Sequence, residues 1–238
     1  MTDTASHLRS SENPYLTGNY APVAEELTAF DLPVTGTIPV DLEGRWLRNG
    51  PNPGPDIDVT THHWFMGAGM VHGVRLRGGK AEWYRNRYVA GADGFSPNTN
   101  VGGFAGTTWA MVEAGTPPVE LGYELESHGA NAFGGTLPNG FSAHPKYDPA
   151  TGELHAMAYH WPDLWDHVQY VVVGGDGRVS KVVDIPVSDM PMIHDMSLTP
   201  TYAVVYDLPV TVNLDVVGQG YPWPFTWAPN RPARVGLL

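Results

Sequence analysis

The residues of this chain best suited to chemistry are its histidines: ten of them, in a sequence without a single cysteine. Neutral imidazole is a common ligand for iron, zinc, copper and nickel. The lack of thiols rules out disulfides, Fe–S clusters, thiolate zinc sites and a cysteine nucleophile. Two histidines stand in settings that ask for a partner. His144 lies in NGFSAHPKYDP, where Pro145 stiffens the backbone and the preceding residues are glycine-rich. His194 lies in MPMIHDMSLTP, among Met190, Met192, Ile193, Met196 and Leu198. An imidazole in such apolar surroundings needs a partner for each ring nitrogen. A metal on one nitrogen and a carboxylate or carbonyl on the other is one solution; a hydrogen-bonded core histidine without metal is the other. Glu113 bears on the choice. It sits in TTWAMVEAG, read as a strand apolar on both faces. A carboxylate there is either at an edge in water or buried against a cation or N–H donor, and a metal-bound imidazole is such a donor.

The other histidines, His7, His62, His63, His72, His128, His155, His160 and His167, have no comparable setting. His62 and His63 are adjacent, so on a strand they point to opposite faces. No HExxH, EF-hand loop or G-x-S-x-G elbow is present, and the glycines of GAGMVHG and GGDG lack the strand-then-helix frame of a phosphate loop.

The elements that must position these side chains read as short strands and tight turns. Residues 1–40 are polar and proline-spaced, an extended arm; residues 41–238 form one domain with no internal boundary. Hairpins are expected at Gly78-Gly79, at Asp148–Gly152 and at Gly174–Gly177, with further strands over 106–115 and 201–210. Helical periodicity is confined to one or two turns over 22–30. The class is all-β; propeller, sandwich and barrel all satisfy the pattern.

Bulk properties exclude several functions. The net charge of −12 repels phosphate backbones, so no nucleic-acid partner is expected. The N-terminus lacks a signal-peptide pattern and no run approaches 18 apolar residues, so a soluble, cytoplasmic protein is expected. Tyr221, Trp223, Phe225 and Trp227 lie between prolines in GYPWPFTWAP. They either pack on the core or form a lip in peripheral contact with a membrane.

The runs NPYLTGNYAPVAEE, VTGTIPVDLEGRWLRNGPNP and HHWFMGAGMVHGVRLRGGKAEWYRNRYV resemble the opening of carotenoid-cleavage oxygenases. The likeness extends from about residue 13 to the end. That family includes apocarotenoid- and stilbene-cleaving enzymes and the retinal pigment epithelium isomerase. NGFSAHPKYDPATGELHAMAYHW resembles the segment of its first iron ligand, which falls on His144; MPMIHDMSLTPTYAVVYDLPVTVNL resembles that of the second, which falls on His194, fifty residues on. WAMVEAG resembles the strand bearing an outer glutamate, which falls on Glu113 and is expected to hydrogen-bond the His194 ring. The resemblance implies a seven-bladed β-propeller with Fe2+ held by four histidines, and O2 as co-substrate. The reaction it implies is cleavage of a conjugated C=C bond of a lipophilic carotenoid, apocarotenoid or stilbene into two carbonyl products. Ala68 departs from the family, which usually carries an acidic residue in that Gly-x-Gly-Met turn. The chain also stops near the middle of the propeller, so the resemblance implies an N-terminal fragment with two ligands missing. Such a fragment is expected to bind iron poorly, not to turn over, and to expose sheet edges, with no stable protein partner. The competing readings are a non-catalytic β-propeller binding module and a metal-dependent propeller hydrolase.

Overall fold

A computed structural model describes residues 13–91, 96–159, 165–220 and 223–238. Three four-stranded antiparallel sheets follow one another along the chain. The first comprises β1 (Thr28–Phe30), β2 (Gly44–Asn52), β3 (Ala68–Arg77) and β4 (Lys80–Tyr88), in the order β1-β4-β3-β2. The second is the meander β5 (Asn100–Phe104), β6 (Thr107–Met111), β7 (Val119–Leu121) and β8 (Ser127–Ala130). The third is the meander β9 (Lys146–Asp148), β10 (Glu153–Ala158), β11 (His167–Val173) and β12 (Val179–Pro186). A fourth, three-stranded sheet joins β13 (Met196–Leu198), β14 (Ala203–Asp207) and β17 (Arg234–Leu237). The hairpin β15 (Val210–Val212) and β16 (Phe225–Trp227) is inserted in it, connected by α1 (Leu214–Gly218), which Asn213 caps through its side-chain oxygen.

Period-two alternation explains why the sheets stack face to face. On β6, Trp109 and Met111 pack towards the third sheet while Ala110 packs towards the first. On β10, Leu154, Ala156 and Ala158 face the second sheet, and Met157 with the following Tyr159 faces the fourth. Each central sheet is thus apolar on both faces. The edge strands on one side are tied in sequence: Asn49 on β2 donates to the Asn100 carbonyl on β5 at 3.1 Å, Asn100 donates to the Ala143 carbonyl at 2.7 Å, and Lys146 on β9 pairs with Asp195 at 2.8 Å. Sheets stacked in chain order with tethered edges are consecutive propeller blades; two packed sheets or one closed sheet would make a sandwich or a barrel.

The Gly78-Gly79 turn forms with φ of +55° and +76°, the geometry that makes glycine the fitting residue in a two-residue hairpin. Three local expectations fail. Residues 22–30 form no helix: the segment is extended and ends as β1, paired to the edge of β4, because tertiary pairing outweighs one turn's worth of propensity. The strand expected over 106–115 ends at Met111, and Ala114 and Gly115 turn the chain with φ of +56° and +99°. The strand expected over 201–210 is two strands in different sheets, broken at Leu208-Pro209, where Val210 N–H closes a tight turn on the Leu208 carbonyl.

Candidate metal centre

His144 stands two residues before β9, and His194 two residues before β13. Equivalent placement at the start of neighbouring edge strands aims both rings into one space, and the Lys146–Asp195 pair, just beyond each histidine, clamps the two segments together. Glu113 arrives from the second sheet, on the bend after β6 and not within the strand. That bend lies directly against the segment leading to His144: Phe141 N–H donates to the Thr116 carbonyl at 3.1 Å.

The three side chains meet. Glu113 Oε1 lies 2.6 Å from His194 Nδ1 and 3.3 Å from His144 Nε2, and the imidazole centroids are 4.4 Å apart. Tyr159 Oη donates to the other carboxylate oxygen, Glu113 Oε2, at 2.5 Å. Burial pushes the Glu113 carboxyl up, but contacts from His144, His194 and Tyr159 outweigh it and carry the group down to about 2. The hydrogen bond to Glu113 raises His194 in turn, against the opposing effect of burial. Burial, then the Glu113 charge, pushes the Tyr159 phenol well up, so it remains a donor.

The residues fit a divalent transition metal. Ligand atoms of Glu113, His144 and His194 all lie within 4.8 Å of one another, the group among the described residues in which three such atoms converge. The His144 Nε2 contact with Glu113 is too poorly aligned to be a hydrogen bond, leaving that buried nitrogen without a partner. His155 also leaves Nε2 unpaired, but there the ring is braced by a 2.7 Å contact from Nδ1 to Tyr170 Oη, as His72 is to Tyr84 at 2.8 Å. Nitrogen ligands with one oxygen suit iron(II) and its neighbours better than calcium or magnesium.

The remaining histidines do other things. His63 stacks on Trp223 at 5.4 Å; His128 lies exposed between Glu120 and Glu126, and His167 contacts Asp166. His7 and His160 lie outside the described residues, as does Tyr221. The aromatic run does not form one outward lip. Phe225 is buried, edge-on to Tyr159 at 6.4 Å; Trp223 is half-buried against His63 and Phe65; only Trp227, 67% exposed, faces outward among the three described. The reason is β16 pairing with β15, which carries Phe225 into the core between the third and fourth sheets.

Tyr159, Lys146 and Asp195 were not legible as site residues. A buried tyrosine needs a hydroxyl partner, which marks Tyr159 as worth asking about, but its partner lies 46 residues away.

The model of the retinal pigment epithelial membrane protein family matches residues 20–93 and 91–238. The chain belongs to the carotenoid oxygenase family. It is 43% identical, over 293 aligned positions, to a carotenoid cleavage oxygenase of Mycobacterium tuberculosis, covering 99% of this chain and 58% of that one. It is 32% identical to a carotenoid 9,10(9',10')-cleavage dioxygenase 1 of Arabidopsis thaliana, covering 94% of this chain and 50% of that one. The solved lignostilbene dioxygenase of Pseudomonas brassicacearum superposes with a TM-score of 0.84 at 27% identity, over 94% of this chain and 53% of that one. This carotenoid oxygenase chain therefore spans little more than half the length of the relatives it matches, and supplies that share of the family's β-propeller. No helix among its described residues is long and apolar enough to cross a membrane.

Proposed function

We propose that this chain contributes two iron(II) ligands, His144 and His194, and the outer carboxylate Glu113 to a dioxygenase. Its reaction is cleavage of a conjugated C=C bond of a carotenoid, apocarotenoid or stilbene into two carbonyl products. The observation that carries the reading is the convergence of Glu113 Oε1 with His194 Nδ1 at 2.6 Å and His144 Nε2 at 3.3 Å, in a chain whose relatives are carotenoid and stilbene cleavage enzymes.

Iron(II), when bound, supplies the centre at which dioxygen is activated beside the alkene. The chain's own residues do the positioning. Glu113 accepts the Nδ1–H of His194, which fixes the ring's rotation and leaves Nε2 as its lone-pair nitrogen. The carboxylate's negative charge, kept ionised by its neighbours, offsets the positive charge that two neutral imidazoles leave on a divalent ion. Any peripheral membrane contact by the described part of the aromatic run is confined to Trp227.

Two imidazole ligands make a weak site, so the chain by itself binds metal loosely and does not turn over. Anaerobic iron(II) titration tests this: the wild-type chain takes up the ion weakly, and His144→Ala and His194→Ala each weaken uptake further. Tight uptake unaffected by either substitution overturns the reading; cleavage of an apocarotenal by the purified chain overturns only the expectation that it does not turn over by itself.

A further inference from the structure

Glu113 faces two imidazoles and a phenol with two oxygens, and the arrangement has a built-in competition. Oε1 lies between His194 Nδ1 at 2.6 Å and His144 Nε2 at 3.3 Å; a small rotation of the carboxylate exchanges one imidazole for the other. What opposes that rotation is the opposite oxygen, Oε2, held by Tyr159 Oη at 2.5 Å. Tyr159 is itself packed in place: it is buried between the third and fourth sheets, edge-on against Phe225. We infer that Tyr159 is a positioning residue whose hydroxyl locks the Glu113 carboxylate onto His194, fixing that ring in its Nδ1–H tautomer and keeping Glu113 off His144 Nε2.

The proton count supports this. A phenol O–H donates once, and in this buried place it stays protonated. Oε2 must then remain an acceptor, and Oε1 takes its proton partner from the nearer ring. Both Nε2 atoms are left as the nitrogens available to a ligand. The consequence for metal binding rests on the function proposed above; the tautomer does not.

The test is Tyr159→Phe in the full chain, followed by long-range 1H–15N spectra of the histidine rings at a pH where they are neutral. In wild type, His194 shows the Nδ1–H pattern alone. In the variant it shows a mixture of tautomers, and cobalt(II) affinity falls about 10- to 100-fold. An unchanged His194 pattern in a folded variant overturns the proposal. If Tyr159→Phe does not fold, the wild-type chain decides: the Tyr159 hydroxyl proton must give a slowly exchanging downfield signal, and exchange at the rate of a free phenol overturns the lock. A wild-type chain that shows the fixed tautomer but takes no cobalt(II) upholds the lock and sinks the metal reading instead.

Discussion

A side-chain carbon placed on Gly140 would lie 2.6 Å from the Cα of Gly115, backbone against backbone. This close approach holds the bend carrying Glu113 against the segment carrying His144. Gly140→Ala must push the two apart, because neither side is a flexible side chain that can yield. Denaturant melts are expected to show a loss of about 1–3 kcal/mol, with weaker cobalt(II) binding. Gly103→Ala, on β5 in open space, is the control and stays within about 0.5 kcal/mol.

The Glu113–His194 contact gives metal-free stability a dependence on pH with two limbs. Glu113 is depressed from 4.5 to about 2, so its contribution is complete above 4.5 and is lost as pH falls towards 2. His194 is raised above 6.5, so its contribution is complete below 6.5 and is lost as pH rises through the folded value. The pair therefore stabilises most between pH 4.5 and 6.5. Urea melts across this range are expected to trace that plateau, and Glu113→Gln to flatten both limbs. A wild-type profile identical to that of Glu113→Gln contradicts the contact.

On the function proposed above, metal competes with the proton on His194. Because that ring holds its proton above the usual imidazole value, cobalt(II) affinity must climb as pH rises past 6.5 and protons must be released on binding. Calorimetric titration in buffers of different ionisation enthalpy counts them; zero protons released at pH 6.5 contradicts the prediction.

The burial of Phe225 predicts a contrast within the aromatic run. Phe225→Ala, opening a hole beside Tyr159, is expected to cost about 3 kcal/mol. Trp227→Ala, at an exposed position, stays within about 0.5 kcal/mol. Equal losses for the two would place Trp227 in the core after all.

The stack of sheets presents apolar side chains at both ends: Trp46 on the first sheet, Val235 and Leu237 on the last. Exposed apolar faces and the open edge strand β17 drive self-association. Light scattering is expected to give a mass above that of the monomer, reduced towards it by Trp46→Lys together with Leu237→Lys. A clean wild-type monomer contradicts the expectation.

How much of this was legible in the sequence follows from the range of the forces involved. Hairpins set by local turn chemistry, such as Gly78-Gly79, read directly, because the residue type dictates φ. His194 stood out because an imidazole among methionines poses a local question, and His144 because Pro145 and a glycine-rich lead-in frame it. The bend that lifts Glu113 out of its strand was hidden, since Ala114 adopts a left-handed φ only under pressure from its surroundings. β1 was hidden for the same reason: three residues become a strand only because β4 offers them an edge. Tyr159 and the Lys146–Asp195 clamp depend on partners 46 and 49 residues away, and no local pattern announces them.

The central claim is that two imidazoles from neighbouring blades share one metal. X-ray absorption of the cobalt(II)-loaded chain reads this directly through the outer-shell scattering of coordinated imidazole. Two histidines per cobalt in wild type, falling to one in either His144→Ala or His194→Ala, is the predicted result. A spectrum with no histidine scattering, or one that neither substitution alters, would contradict it.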